Sequence, residues 1–250
     1  MLPLPIASVS EPVFAADWQV PAGIKTCLST RHGGISTGVY ASLNVGAHVG
    51  DEPAAVAHNR AMVQQAVAVP LAYLNQIHST TVVPATVARK HLQDADASVD
   101  ASGKAACAVM TADCLPVLLC DEAATVVGAA HAGWRGLVGE MIENTITAMQ
   151  TQSRLIAYLG PAIGPDAFEV GAEVRAAFLA HDAAAASAFV DIGNGKYLAD
   201  IYALARQRLQ AAGVEAIYGG EYCTVLQRND FFSYRRDGQT GRMVSVIWLE

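Results

Sequence analysis

Apolar positions crowd residues 105–134, where only Asp113, Pro116, Asp121 and Glu122 break the run, and two short segments stand out: "CLPVLLC" (114–120) and "TVVGAAHA" (125–132). Apolar runs of this length, bounded by turn formers, predict adjacent buried strands joined by the tight connection "DEAA". Cys114 then enters the first strand and His131 ends the second. Residues 24–30, "IKTCLST", have strand character too. The "RHGGISTG" after them cannot sit in a regular element without cost, so Arg31 and His32 begin a loop. Apolar residues at helical spacing after Asp51 and Pro53 predict a helix over 53–69.

Farther along, the pattern predicts a helix at 137–150, a strand at 154–160 ending in the loop "GPAIGPDAF", and a helix starting near Phe168. A strand at 188–192, a helix at 199–212, a strand at 215–222, an aromatic loop and a last strand at 243–249 complete it. The stretch "DAAAASA" (182–188) reads as an alanine-rich helix end or surface connection, and no fixed-period repeat occurs. Strands and helices mix without the rhythm of a doubly wound sheet, which predicts an α+β fold.

The chain has 250 residues, a length one hydrophobic core can organise, so a single domain over 1–250 is expected. At 52% hydrophobic and 16% charged it is too apolar for a disordered chain. No stretch of about 20 uncharged residues offers a membrane span. The start, "MLPLPIASVS", lacks the basic residues of a secretory signal, which makes the cytoplasm the expected location. Five cysteines without a C-x-x-C pair fit thiols in a reducing compartment. A net charge of −7 argues against nucleic acid as a partner, while leaving room for a small anionic ligand.

Three residues at predicted strand ends or turns could carry chemistry: His78 in "NQIHST", Cys114 in "TADCLP" and His131 in "AAHAGWRG". Two imidazoles and a thiolate, with a fourth position open, are the donor set of a catalytic zinc centre. The intervals of 36 and 17 residues match no local zinc motif, so the same atoms also read as a Cys114 nucleophile with His131 as its base. A third reading makes Cys114 a small buried hydrophobe and His131 a satisfied core residue. Asp113 is then a turn residue or, in the functional readings, the acceptor that orients an imidazole. Arg31 and Arg135 stand beside glycines, where a guanidinium could grip phosphate or carboxylate, or simply be solvated. Trp134 could stack on a base, or anchor packing. The sequence contains no P-loop, dinucleotide fingerprint, H-E-x-x-H or G-x-S-x-G.

Seven segments, "STRHGGIS", "YASLNVGAHVGDEPAAVAHNR", "NQIHST", "TADCLPVLLCD", "AAHAGWRG", "GPAIGPDAFEVG" and "FFSYRRDGQTGRM", occur in one order and spacing that resembles the laccase-domain, or YfiH, family across nearly the whole chain. The resemblance implies an α+β fold shared with the cytotoxic necrotizing factor catalytic domain. It also implies that His78, Cys114 and His131 meet and bind zinc, with Arg31 and Asn44 lining the pocket. The implied activities are phosphorolysis of adenosine, inosine, guanosine and methylthioadenosine, with phosphate as co-substrate, and deamination of adenosine. Peptidoglycan editing, Cys-His amide hydrolysis on cell-wall precursors and copper-dependent phenol oxidation are alternatives. The chain departs from the family at Ser79, where glycine is usual, and at Phe168, where tyrosine is common. Seven histidines without an H-x-H pair cannot build the copper clusters of a multicopper oxidase, so phenol oxidation would need copper in the one three-ligand site.

Overall fold

The apolar runs become the centre of two stacked sheets. The computed structural model describes residues 9–250; the reading of residues 1–8 as lacking a secretory signal lies outside them. Leu115–Asp121 and Val127–Ala132 form an antiparallel pair with Pro116 opposite His131, as expected of "CLPVLLC" and "TVVGAAHA". They sit in the middle of a six-stranded sheet ordered Ala216–Gly219, Leu155–Leu159, Leu115–Asp121, Val127–Ala132, Ala97–Asp100, Val82–Pro84. A five-stranded sheet ordered Val13–Phe14, Ile24–Ser29, Met243–Leu249, Ala106–Thr111, Leu71–Ala72 packs against one face of it.

The period-two register of each strand explains why these runs look continuously apolar. Leu118, Cys120, Val127 and Ala129 from the larger sheet meet Leu28, Val109 and Ile247 from the smaller one. The alternate residues Leu115, Val117, Leu119 and Ala130 face a layer of helices through Ile142, Phe178 and Leu204. On the far side Met110, Val244 and Trp248 cover Val63 of the helix Pro53–Gln65. Each fully buried leucine here contributes roughly 1.5–3 kcal/mol.

Several boundaries differ from expectation for local reasons. The helix predicted over 137–150 is two helices, Trp134–Val138 and Met141–Met149, because Gly139 ends the first and Glu140 takes a left-handed backbone, φ 71°. No helix starts at Phe168: Glu169–Gly171 first pairs with Lys196–Ala199 in a small three-stranded sheet, and the helix runs Ala172–His181. The first helix stops at Gln65 rather than residue 69. "DAAAASA" contains a 3-10 helix, Ala183–Ala188, whose Ala184 amide is capped by the Asp182 carboxylate. The fold is mixed α and β, and among the described residues no helix is long and apolar enough to cross a membrane.

Candidate metal centre

The strand register builds the site. Because Leu115 pairs with Ala132, the residues just outside the pair, Cys114 and Gly133, lie side by side at the sheet's end. A side chain at 133 would put its Cβ 2.9 Å from Cys114 Sγ, so the glycine in "AAHAGWRG" keeps room for the sulfur. Ala97 pairs with Ala130 on the other side, which sets Asp96 beside His131. The Asp96 carbonyl accepts from His131 N at 2.7 Å, and its carboxylate lies 2.9 Å from His131 Nδ1.

The same carboxylate organises the turn that carries His78. It accepts from the amides of Ile77, His78 and Ser79 and from the Ser79 hydroxyl, at 2.6–3.2 Å. His78 itself adopts a left-handed backbone, φ 60°, a conformation that the three amide bonds hold in place. Ser79 turns its hydroxyl to Asp96.

His78, Cys114 and His131 each present a ligand atom within 4.8 Å of the others. Cys114 Sγ is 3.9 Å from His78 Nε2, and the two imidazoles meet edge to face with centroids 4.9 Å apart. Tetrahedral zinc with Zn–N and Zn–S bonds near 2.0–2.3 Å separates its ligands by about 3.3–3.8 Å, so this donor set fits the ion. With His131 Nδ1 held by Asp96, Nε2 is the nitrogen left for a metal, an arrangement in which an outer carboxylate sets the tautomer.

Charge follows from that geometry. Burial alone would push the Cys114 thiol up, but the charge and hydrogen bonds of His131 and His78 outweigh it and bring it down to about 6. Burial would likewise lower His131, yet the Cys114 thiolate and Asp96 carry it up to about 9. Burial opposes ionisation of Asp96 as well; the hydrogen bonds from His131 and Ser79 prevail and hold it below its ordinary value. The metal-free pair is therefore thiolate and imidazolium.

Two cavities of about 190 and 400 Å3 open from the triad and share His78, Ala112, Cys114 and Tyr234. The smaller is lined by Trp134, Ile163, Phe168 and Ile201, with the Arg135 guanidinium 4.3 Å over Trp134 and the Arg235 guanidinium 5.6 Å over Phe168. The larger is lined by His48, Gln76, Thr111 and Arg242.

The other sequence-derived candidates fall elsewhere. Arg31 lines neither cavity: its guanidinium donates to the carbonyls of Ala41 and Arg228 and lies 4.8 Å over Phe232, beside a separate surface hollow. Asn44 is fully buried and acts at one remove, its Oδ1 accepting from the amides of Arg242 and Gly46. Asp113 does not orient an imidazole; it accepts from Thr224 Oγ1 and the Arg235 amide, tying down the loops around the smaller cavity. Asp96 takes the orienting role instead. Its surroundings in sequence, "QDADASVD", give no sign of this, since only the pairing of three strands brings it to His131.

Relatives share this chain over nearly its full length. A family model described as multi-copper polyphenol oxidoreductase laccase matches residues 25–250. Purine nucleoside phosphorylase YfiH of Escherichia coli (strain K12) is 52% identical over 95% of this chain and 98% of its own length. Purine nucleoside phosphorylase PA4543 of Pseudomonas aeruginosa is 49% identical over 94% and 97%. Among solved structures, Neisseria meningitidis protein NMB0706 is 60% identical and superposes with a TM-score of 0.94 over 96% of this chain and all of that one. YlmD from Geobacillus stearothermophilus is 31% identical, with a TM-score of 0.83 over 92% and 93%. With its sheets, its triad and these relatives in agreement, the chain belongs to the laccase-domain family that includes the YfiH purine nucleoside phosphorylases.

Proposed function

We propose that the protein is a zinc-dependent purine nucleoside phosphorylase, with residues 1–250 acting as one catalytic domain in the cytoplasm. The observation that carries the reading is the convergence of His78, Cys114 and His131 where two cavities meet, one lined by Trp134 and Phe168 and the other by His48 and Arg242. The names of the relatives supply the substrate class. His78, Cys114 and His131 would hold the ion; when bound, it acts as a Lewis acid that stabilises developing negative charge. In phosphorolysis a phosphate oxygen forms a bond to ribose C1′ as the C1′–N9 bond breaks. The electron pair leaves with N9, and the proton of the phosphate ends on the purine, giving ribose 1-phosphate and free base.

Most of what the chain's own residues contribute is positioning. Asp96 keeps the His131 ring in one orientation and holds the His78 turn, and Asp113 fixes the loop carrying Tyr234 and Arg235. Adenosine, inosine, guanosine and methylthioadenosine are the substrates we assign, and deamination of adenosine at C6 is a side activity of the same centre. Copper in the same three ligands would account for phenol oxidation without a multicopper cluster.

One observation favours a second reading. A low thiol beside a buried imidazolium that is itself oriented by a carboxylate is also the arrangement of a Cys-His amide hydrolase acting on cell-wall precursors. Metal dependence separates the two. Purified protein is assayed for metal content and for conversion of inosine and phosphate to hypoxanthine and ribose 1-phosphate by chromatography. The expected result is turnover that tracks zinc content and disappears with His131→Ala. Full amide hydrolysis by chelator-treated protein, abolished by Cys114→Ser, would overturn it.

A further inference from the structure

The two cavities differ in what they can hold. In the larger, the Arg242 guanidinium spends only one nitrogen on the protein: Nη1 donates to the carbonyls of Thr240 and Gly241. Among the described residues Nε and Nη2 have no hydrogen-bond partner, and no carboxylate lines that space. Its neighbour Gln76 is already committed to both main-chain groups of Met110. A guanidinium with two free donors in a cavity without a carboxylate is an anion receptor in waiting.

Two cations reach this arm: with burial first, Arg242 and Arg60 push His48 down from its ordinary value, while Cys114 and Asp113 are the negative groups that act on Arg242. Arg60 is itself anchored, donating to the Val45 carbonyl and lying 4.0 Å over the Tyr73 ring. The guanidinium of Arg242 is placed through its main chain: Asn44 Oδ1 receives its amide, the Val45 amide donates to its carbonyl, and a side chain at Gly46 would bring a Cβ within 2.8 Å of Arg242 Cγ. That arrangement gives a purpose to the buried Asn44 and to the glycine two residues after it.

The smaller cavity differs in carrying a carboxylate, Asp113, beside its two guanidiniums. These lie over aromatic rings, as Arg242 lies 5.9 Å over Tyr234, and Arg235 Nη1 is taken by the Glu169 carbonyl. Trp134, Ile163 and Phe168 offer the apolar surface a flat heterocycle needs. Phosphorolysis requires the nucleophile and the departing base on different sides of C1′, and here the two environments meet at His78, Ala112, Cys114 and Tyr234.

We propose that the arm lined by His48 and Arg242 is the inorganic phosphate subsite, with Arg242 as its principal donor, and that the arm lined by Trp134 and Phe168 receives the purine. The assignment rests on the phosphorolysis reading above and replaces Arg31 with Arg242 as the residue that meets phosphate.

The test measures inorganic phosphate binding directly by calorimetry on zinc-loaded protein, alongside phosphate and inosine kinetics. Arg242→Gln is expected to weaken phosphate binding and raise the phosphate KM about 10- to 100-fold, the loss of a charged hydrogen-bonding pair. Its zinc content and inosine KM stay near wild type. Arg242→Lys keeps the charge without the fork and falls between, which also serves if the glutamine variant folds poorly. Trp134→Ala gives the reciprocal result, a raised inosine KM with unchanged phosphate binding. Wild-type phosphate affinity in both Arg242 variants would overturn the subsite even if phosphorolysis is present. Phosphate binding that depends on Arg242 in a protein that does not phosphorolyse nucleosides would uphold the subsite and refute the activity.

Discussion

Asp96→Asn tests the site at the one residue through which two of its three ligands are arranged. Oδ1 accepts from His78 N at 3.0 Å and faces His131 Nδ1 at 2.9 Å; Oδ2 accepts from Ile77 N, Ser79 N and Ser79 Oγ at 3.2, 2.6 and 2.8 Å. Every protein group around this carboxylate is therefore a donor, except that the His131 nitrogen can change role. Asparagine has one acceptor and one donor end, so it cannot match them in either orientation. With its NH2 in place of Oδ2, it confronts two backbone amides. With its NH2 in place of Oδ1, it confronts the His78 amide and forces His131 Nδ1 to accept, which moves the ring proton onto Nε2, the nitrogen needed for metal.

A buried donor left without a partner costs about 1–3 kcal/mol, so the cheaper orientation loses roughly that much. For a chain of this size that lowers Tm by about 2–10 °C. Loss of the outer partner of a metal-binding histidine costs about 10- to 100-fold in metal affinity. The assays are competition of zinc against a chromogenic chelator and thermal unfolding of the metal-free protein followed by circular dichroism. Ser79→Gly is the companion variant; it removes one hydroxyl bond to the same carboxylate, costs about 1 kcal/mol and leaves zinc affinity nearly unchanged. An Asp96→Asn protein with wild-type zinc affinity and wild-type Tm would refute the claim that this carboxylate arranges the ligands.

Four further outcomes are expected. In metal-free protein, iodoacetamide should label Cys114 with a midpoint near pH 6, the thiolate persisting above that value and protonating as pH falls through it; zinc should block the reaction, and a midpoint near 9 would contradict the ion pair. Cys27, Cys107 and Cys120, pushed by burial up to about 11, 12 and 12, should stay unlabelled at pH 7. Gly133→Ala should weaken zinc binding with little change in Tm, because the new methyl displaces Cys114 Sγ into another rotamer; unchanged affinity, read with the same chelator, would show the sulfur has room to spare. Arg31→Ala should cost about 1 kcal/mol of stability by removing both guanidinium donors from the half-buried Ala41 carbonyl, with phosphate kinetics unchanged; a raised phosphate KM at wild-type Tm would return Arg31 to the substrate.

What could be read along the chain was whatever depends on near neighbours. "CLPVLLC" and "TVVGAAHA" announced a buried strand pair because both are apolar throughout and one tight connection joins them. Strand Ala106–Thr111 lies in the same apolar stretch, but its partner Met243–Leu249 is more than 130 residues away, and nothing local indicates that the two pair. Glu169–Gly171 looked like a helix start for the same reason: the pairing with Lys196–Ala199 overrides a weak local preference.

The site divides along the same line. The three residues that meet are legible because few residue types can hold a metal and a family pattern collects them; what surrounds them is not, because a carboxylate such as Asp96 is one of 23 acidic residues until a register puts it opposite His131. Arginines show the converse. Arg31 and Arg242 both stand next to or near glycines, and in sequence they are equally good phosphate ligands. What distinguishes them is whether the protein has already used their donors. Arg31 gives Nε, Nη1 and Nη2 to carbonyls and closes a loop, while Arg242, which lines the triad's cavity, gives one nitrogen. A guanidinium whose donors are all satisfied has little left to offer an anion, since each new bond would replace an existing one at no net gain. Counting unspent hydrogen-bond donors therefore sets Arg31 aside, a comparison that exists only once the chain is folded.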